Sequence, residues 1–377
     1  MAKHFWIYTH NFTHSGAPLV MASIARQLAE QGWRDRLRVV SWGGLHDHRH
    51  STLQSELSAE GIHCRVLDHD QSPPKPHSGD QLLLNSLALP EHVIQQALDW
   101  QSQHCLSRLD WYAHEGNPAV CLSGSPWPER LRSALQAGHL QLRVPSVHTL
   151  ATYQRWLNYS EDALAVLWPE LDVPQEYWGS SGSDFQELRL QLTAAVGSGH
   201  KGHLWLLQLV AAALEECPQT TVGMRPIRLR FIGVEQGPYA ALARHVCQQG
   251  EQLLGDSFAW IPAQERHLAL KAMAESNIAV SCSVSETFSL VMAEAMALGQ
   301  PLLRTRTGGW HEQLLDSESG FDLGEVSAHP QPEQIALLQR LRDPQLVPEA
   351  VLQGMRVKAQ QQAVRFSSAN YGDWLCD

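Results

Sequence analysis

The chain has 377 residues, of which 44% are apolar, and a formal net charge of −11. That apolar share supports packed interiors and excludes a disordered chain, while the length exceeds one ordinary core, so two domains are expected. The acidic balance and the lack of a basic stripe exclude nucleic acid as a main partner, and peripheral membrane contact is left open.

The seven cysteines (Cys64, Cys105, Cys121, Cys217, Cys247, Cys282 and Cys376) are scattered. They read as free thiols in a reducing cytoplasm, not as a disulfide frame. Twenty histidines occur without a His-Glu-x-x-His or comparable ligand spacing, so no metal site is expected. The N-terminal apolar run is too short for a signal peptide. The longest apolar stretch, Leu204 to Leu214, is broken by Gln208 and too short to span a bilayer. A cytoplasmic chain without a transmembrane segment is the expectation.

Along the chain, Phe5 to Thr9 reads as a strand, His10 to Pro18 as a polar loop, and Val20 to Gln31 as a helix stopped by Gly32. Leu37 to Trp42 is the next strand. This βαβ alternation points to a parallel sheet whose ligands meet the C-terminal strand ends. Gly16 therefore opens a helix at the sheet's working edge, although a plain tight turn accounts for it equally well. Ser72 to Pro76 is a proline-rich surface loop. Gln81 to Leu84 predicts a strand, Glu91 to His104 a helix, and Asp110 to Glu115 a strand running into a loop. Leu142 to Ser146 and Leu164 to Leu167 complete the strands of the first half. Asp172 to Asp184 is rich in glycine and serine and has linker composition.

The second half repeats the rhythm. Leu192 to Val196 predicts a strand, Gly197 to Gly202 a loop, and His203 to Glu216 a helix. Strands follow at Leu229 to Ile232, Ser257 to Ile261, Ile278 to Ser281 and Pro301 to Arg304. A glycine turn at Gly233 and Gly237 leads into a helix from Tyr239. A last short helix opens around Phe366 to Tyr371.

The segment from Ser285 to Pro301 is the most informative. Glu286 ends a polar loop, and Glu294 is the single charge in the run from Phe288 to Leu298. Thr287 or Ser289 can cap the helix, and Gly299 with Pro301 stops it. A helix apolar on all sides is buried, and a carboxylate on it costs several kcal/mol unless paired or hydrogen-bonded. Its partner is either an internal Arg or Lys, or a ligand with paired hydroxyls such as a ribose diol.

Glu286 and Glu294, separated by seven residues and followed by Ala-Met-Ala-x-Gly-x-Pro, resemble the donor-site signature of retaining family 4 glycosyltransferases. The resemblance implies α/β GT-B architecture, with two Rossmann-like domains facing across a cleft and a C-terminal helix returning to the first domain. It places Glu294 on the nucleotide ribose, Glu286 at the donor sugar, and the amides around Phe288, Ser289 and Leu290 on the diphosphate. A helix N-terminus suits that last task, carrying free N–H groups and partial positive charge.

Gly197-Ser198-Gly199-His200-Lys201-Gly202 resembles the family's Gly-Arg or Gly-Ser … Lys-Gly loop, with Lys201 neutralising the leaving diphosphate. The loop is shorter than the family's, and Ser198 stands where a phosphate-binding Arg often sits. His200 and Arg304 are candidates for the second cation. Trp111-Tyr112-Ala113-His114-Glu115 resembles a first-domain strand end whose histidine orients the donor sugar. Considered without the resemblance, His114 reads as a satisfied core residue, and His148 and His14 compete for the role. Gly16 corresponds to the glycine loop near acceptor and phosphates, and Gly233 to the turn beside the nucleobase, which Trp260 helps to frame. Gly308, Gly309 and Glu312 resemble the family's Gly-Gly-x-x-Glu.

The resemblance thus implies a retaining, metal-independent glycosyltransferase of hexosyltransferase type, serving polysaccharide biosynthesis. Its partners are a nucleoside-diphosphate-sugar donor, which is a substrate and not a cofactor, and a carbohydrate or other hydroxyl acceptor. A non-catalytic nucleotide-sugar-binding subunit and a GT-B epimerase or phosphorylase are the rival readings. The expected organisation is 1–172 for the acceptor-side domain, 173–188 for a linker, 189–360 for the nucleotide-sugar domain and 361–377 for the return helix.

Overall fold

The computed structural model describes residues 3–13, 15–42, 51–122, 126–234, 240–262, 265–367 and 371–376. Two compact units emerge: residues 1–170 with 369–377, and residues 171–368.

Unit 1 is built on seven strands, β1 (Phe5–Thr9), β2 (Leu37–Ser41), β3 (His63–Val66), β4 (Asp80–Asn85), β5 (Leu106–Tyr112), β6 (Gln141–Val144) and β7 (Leu164–Val166). They form one parallel sheet in the order β3-β2-β1-β4-β5-β6-β7. The central strands β1 and β4 are nearly continuously buried, as a sheet covered on both faces requires, whereas edge strand β3 alternates exposed and half-buried residues. Register puts Thr9 level with Asn85 and Asn85 level with Tyr112. The loops after β1, β4 and β5 therefore leave the sheet at one edge.

Unit 2 repeats the plan with β8 (Leu188–Thr193), β9 (Ile227–Ile232), β10 (Phe258–Ile261), β11 (Ile278–Ser281), β12 (Leu302–Arg304) and β13 (Gly320–Asp322), all parallel. The order β10-β9-β8-β11-β12-β13 is the 3-2-1-4-5-6 order of doubly wound folds, whose ligand crevice lies where the order reverses, here between β8 and β11. Its core gathers Leu188, Leu190 and Leu192 of β8 with Leu206, Leu209 and Val210 of the helix His203–Glu216. Each such side chain, fully buried, contributes about 2 kcal/mol.

Several bounds differ from the sequence expectation. The strand expected at Leu192 to Val196 is Leu188–Thr193, four residues earlier at its start. The first helix starts at Gly16 and its regular part ends at Leu28. Strands β3 and β13 were not expected at all. The segment 173–188, with linker composition, is held within unit 2: the amides of Gly179, Ser181 and Gly182 donate to the carbonyls of Ala297, Leu298 and Ala274. The helix Glu349–Val364 packs in unit 2, and the separate helix Tyr371–Cys376 belongs to unit 1. Among the described residues, no helix is long and apolar enough to cross a membrane. Six of the cysteines are free thiols.

Candidate functional site

In unit 2 the site is assembled at the crevice between β8 and β11. Beyond Thr193 the chain turns through Gly197 and Ser198 into a short 3-10 turn, Gly199–Lys201, and then the helix His203–Glu216. Gly202 links the two at φ +75°, where an added Cβ would meet the Cys282 carbonyl oxygen at 2.1 Å. A residue with a side chain would push this loop off β11. That close approach brings Lys201 beside Glu286, with Nζ 2.5 Å from Oε1. Ser283 donates its hydroxyl to the same oxygen at 2.8 Å. The fold thus brings together the two residues that the sequence assigns to phosphate and sugar, and adds Ser283, which the sequence did not single out.

Ser198 is buried, its Oγ 2.9 Å from His200 Nδ1. Burial and then the neighbouring Lys201 charge lower the His200 pKa, with Glu286 opposing, which disfavours His200 as the second cation. Arg304 is no candidate either. It is fully buried, donating to Gln313 and to the Gly308 carbonyl (3.1 Å), and burial pushes its pKa down to about 10. It braces the turn after β12, whose Gly308 and Gly309 abut the backbone of Glu286 and Phe288. Behind Lys201, His203 is buried edge-on to Phe231 at 4.8 Å, with a pKa lowered to about 3 by burial, then by Lys201 and His200.

The helix expected to meet the donor is Leu290–Ala297, with residues Met292 to Ala297 buried. Ser289 occupies its N-cap in the left-handed conformation (φ 67°, ψ 80°), and its side chain makes no capping hydrogen bond. The expected Ser289 side-chain cap is thus not formed, and a helix start of this kind favours an anion at its first-turn amides. Phe288 is buried against Phe366 (5.1 Å, 83°), so its backbone alone can meet a ligand. Gly299, at φ +84°, donates to the Met296 carbonyl and ends the helix as expected.

Glu294 lies on this helix at 9% exposure. Its partner is an internal arginine, one of the two possibilities its burial left open. Arg266, the first residue of the helix Arg266–Ala274, places both Nε and Nη2 at 2.9 Å from Oε1. Nη2 also donates to the Asp172 carbonyl, and Nη1 lies 3.4 Å from Asp172 Oδ2. Burial raises the Glu294 pKa, Arg266 pulls it back, and Asp172 raises it further. Gly233 (φ +141°) sits against Ala194, whose carbonyl oxygen an added Cβ would meet at 2.0 Å, and it accepts from Trp260 Nε1 at 2.8 Å. Its first duty is closing the β8–β10 edge. Gly237 lies outside the described residues.

In unit 1, His114 follows β5, with Nε2 2.9 Å from Asn85 Oδ1 and its ring 4.4 Å from that of Tyr112. Asn85 Nδ2 donates to the Ala17 carbonyl at 3.0 Å, which fixes the amide so that Oδ1 faces His114. Nε2 must then carry the proton, leaving Nδ1 as the acceptor. Burial, then His10, lowers the His114 pKa to about 3, so the ring is neutral. Gly16 starts the helix one residue before Ala17, with open space about its Cα. His148 is exposed on the helix Val147–Leu157. His14 lies outside the described residues.

Comparison with known proteins bears on the family and the fold. Residues 191–337 match the family model described as glycosyl transferases group 1. No curated protein matches the chain in sequence. Among solved structures, HepE of Anabaena in complex with UDP and glucose is 16% identical, with 100% of both chains covered and a TM-score of 0.70. A glycosyltransferase of Rickettsia africae is 14% identical over 98% of this chain and 96% of its own, at TM-score 0.72. Sucrose-phosphate synthase of Thermosynechococcus elongatus is 16% identical over 100% and 97%, at 0.64. Over residues 191–337 the chain is similar to the group 1 glycosyl transferases, and its fold, two Rossmann-like parallel-sheet units, is that of GT-B glycosyltransferase structures.

Proposed function

We propose that this chain is a glycosyltransferase that moves a sugar, a hexose by type, from a nucleoside-diphosphate donor to an acceptor hydroxyl, with retention and without a metal. The observation that carries the reading is the Lys201–Glu286 ion pair just before the helix Leu290–Ala297, which bears Glu294, inside the stretch matching the group 1 glycosyl transferases. Departure of a nucleoside diphosphate develops negative charge on its oxygens. Lys201 and the first-turn amides are placed to receive it. Glu294 takes the ribose hydroxyls, and Glu286 and His114 orient the sugar. Ser198 and Gly16 border the phosphates, and Gly233 the base. In front-side displacement the leaving phosphate accepts the acceptor's proton, so the reading asks no side chain to act as base. A neutral His114 suits orientation through hydrogen bonds.

HepE, whose structures hold UDP or UDP-glucose, makes uridine donors the first to try. The test is incubation with UDP-, GDP-, ADP- and dTDP-sugars, with and without saccharide acceptors, followed by product analysis. The expected result is acceptor-dependent transfer, the product keeping the donor's anomeric configuration, in the presence of EDTA. Donor isomerisation without an acceptor points instead to an epimerase. Tight donor binding with neither transfer nor hydrolysis points to a donor-binding subunit.

A further inference from the structure

A carboxylate that recognises a diol must be ionised and must have lone pairs to spare. Glu294 meets both needs through one neighbour. Its oxygen Oε1 receives two nitrogens of Arg266, Nε and Nη2, each at 2.9 Å. An oxygen of this kind has two lone pairs, so Oε1 is filled. Among the described residues, both contacts fall on Oε1, which leaves the two lone pairs of Oε2 for a pair of hydroxyls. Arg266 is held in turn at Asp172, through the carbonyl and the carboxylate, so all three guanidinium nitrogens are engaged. Two further arginines have partners of their own, although each keeps one buried nitrogen without a hydrogen bond, Nη1 of Arg356 and Nε of Arg304. Arg356, on the helix packed against Leu290–Ala297, donates to the Gly179 carbonyl, and Arg304 braces its own turn.

We propose that Arg266 is a positioning residue for the donor: by filling Oε1 it holds Glu294 charged and turned so that Oε2 is presented to the ribose diol. The proposal rests on the reading of Glu294 as the ribose ligand. Without Arg266, burial and Asp172 are left acting on Glu294, and both favour the protonated acid. The acid is a poorer acceptor for two hydroxyls. Nucleotide affinity then acquires a pH dependence with a definite sign: weaker as pH falls, recovering as pH rises.

The experiment measures by calorimetry the affinity of the wild type, Arg266→Met, Arg266→Lys and Glu294→Gln for whichever of UDP, GDP, ADP and CDP binds most tightly. It is run at pH 6, 7 and 8 and repeated with the 2′,3′-dideoxy form of that nucleotide. Arg266→Met is expected to bind about tenfold more weakly at pH 7, the scale of one lost charge-assisted hydrogen bond, with the deficit larger at pH 6 and smaller at pH 8. Arg266→Lys, which keeps the charge but cannot fill Oε1 with two nitrogens, falls between and carries the test if the methionine variant does not fold. The dideoxy nucleotide binds wild type and Arg266→Met equally. Affinities within twofold of wild type at every pH overturn the proposal, as does an equal loss for the dideoxy form. If Glu294→Gln loses binding and Arg266→Met does not, the ribose reading stands and the Arg266 proposal falls. If no nucleoside diphosphate binds the wild type, the donor reading itself fails.

Discussion

Lys201 and Glu286 form one ion pair at the head of the site, and the fate of that pair on donor binding sets what each substitution does. A diphosphate competes with Glu286 for the ammonium. Lys201→Ala is therefore expected to lower turnover by about two orders of magnitude, the usual scale for one charge-stabilising group, with the melting temperature nearly unchanged because the pair is partly exposed. Steady-state kinetics and thermal unfolding on the same preparation check this, and a normal kcat removes the phosphate role. His114→Ala is expected to cost about 10- to 100-fold in transfer, the worth of an orienting hydrogen bond, with nucleotide affinity unchanged. The same pattern in His148→Ala instead would move the role to that exposed histidine. At this scale the sequence is read well wherever a residue's type and its immediate neighbours decide its place. Glu294 is anomalous in its own helix, and that anomaly is visible locally. Arg266, 28 residues away in the chain, is not. It is the first residue of an ordinary short helix, and only the fold brings its guanidinium to Glu294. The failure of Arg304 as a phosphate cation has a similar cause, since nothing local says that a strand-end arginine turns inward to its own turn.

Elements were legible in proportion to how far burial followed composition. The helix His203–Glu216 and strand Ile278–Ser281 match the sequence reading residue for residue. Strand β8 was displaced because Arg189 and Gln191 interrupt its leucines, yet Gln191 is fully buried and donates to Gln300 at 3.0 Å. A satisfied buried polar side chain looks like a loop residue in sequence. Strands β3 and β13 are edge strands of four and three residues, too short for a period to show. The same logic marks β5, where Asp110 is a wholly buried carboxylate paired with Arg108 at 2.7 Å. Burial pushes its pKa up to about 6, with Arg108 and Arg143 opposing. Because the folded state keeps this proton longer than the unfolded chain, the contribution of Asp110 is full below about pH 4 and is lost as pH rises through 6. The difference in unfolding free energy between wild type and Asp110→Asn is expected to fall between pH 4 and 7, by on the order of 3 kcal/mol, and to level off above. Denaturant titrations of both proteins across that range measure it. A difference that rises with pH would mean that the Arg108 pair outweighs burial. The helix Tyr371–Cys376 reads the same site, since Arg108 donates to the Trp374 carbonyl and Arg143 lies 5.9 Å over the Trp374 ring.

At the scale of the whole molecule, each unit has its own sheet and its own core, and the residues proposed for the nucleotide come from unit 2 except Gly16. The halves were separable in sequence because each repeats a strand–loop–helix rhythm. The boundary was harder to read, because glycine and serine between Asp172 and Asp184 suit a linker, yet their amides are taken up by unit 2. Asp172 itself holds Arg266, so the first residues of unit 2 lie beside the arginine that pairs with Glu294, the residue proposed for the ribose. A nucleoside diphosphate lacking the sugar should therefore order unit 2 without engaging the residues read as orienting the sugar. Hydrogen exchange with mass spectrometry gives the test: saturating nucleotide should slow exchange in peptides covering 199–206, 265–270 and 284–295. Peptides covering 80–87 and 106–116 should exchange as in the free protein. Local opening free energies rise only where a ligand binds the closed form, by RT ln(1 + [L]/Kd), about 2.7 kcal/mol at a hundredfold excess over Kd. Protection spreading to the Asn85 and His114 peptides with nucleotide alone would show that unit 1 also responds to the nucleotide. In that case His114 has to be reassigned from the sugar to the nucleotide.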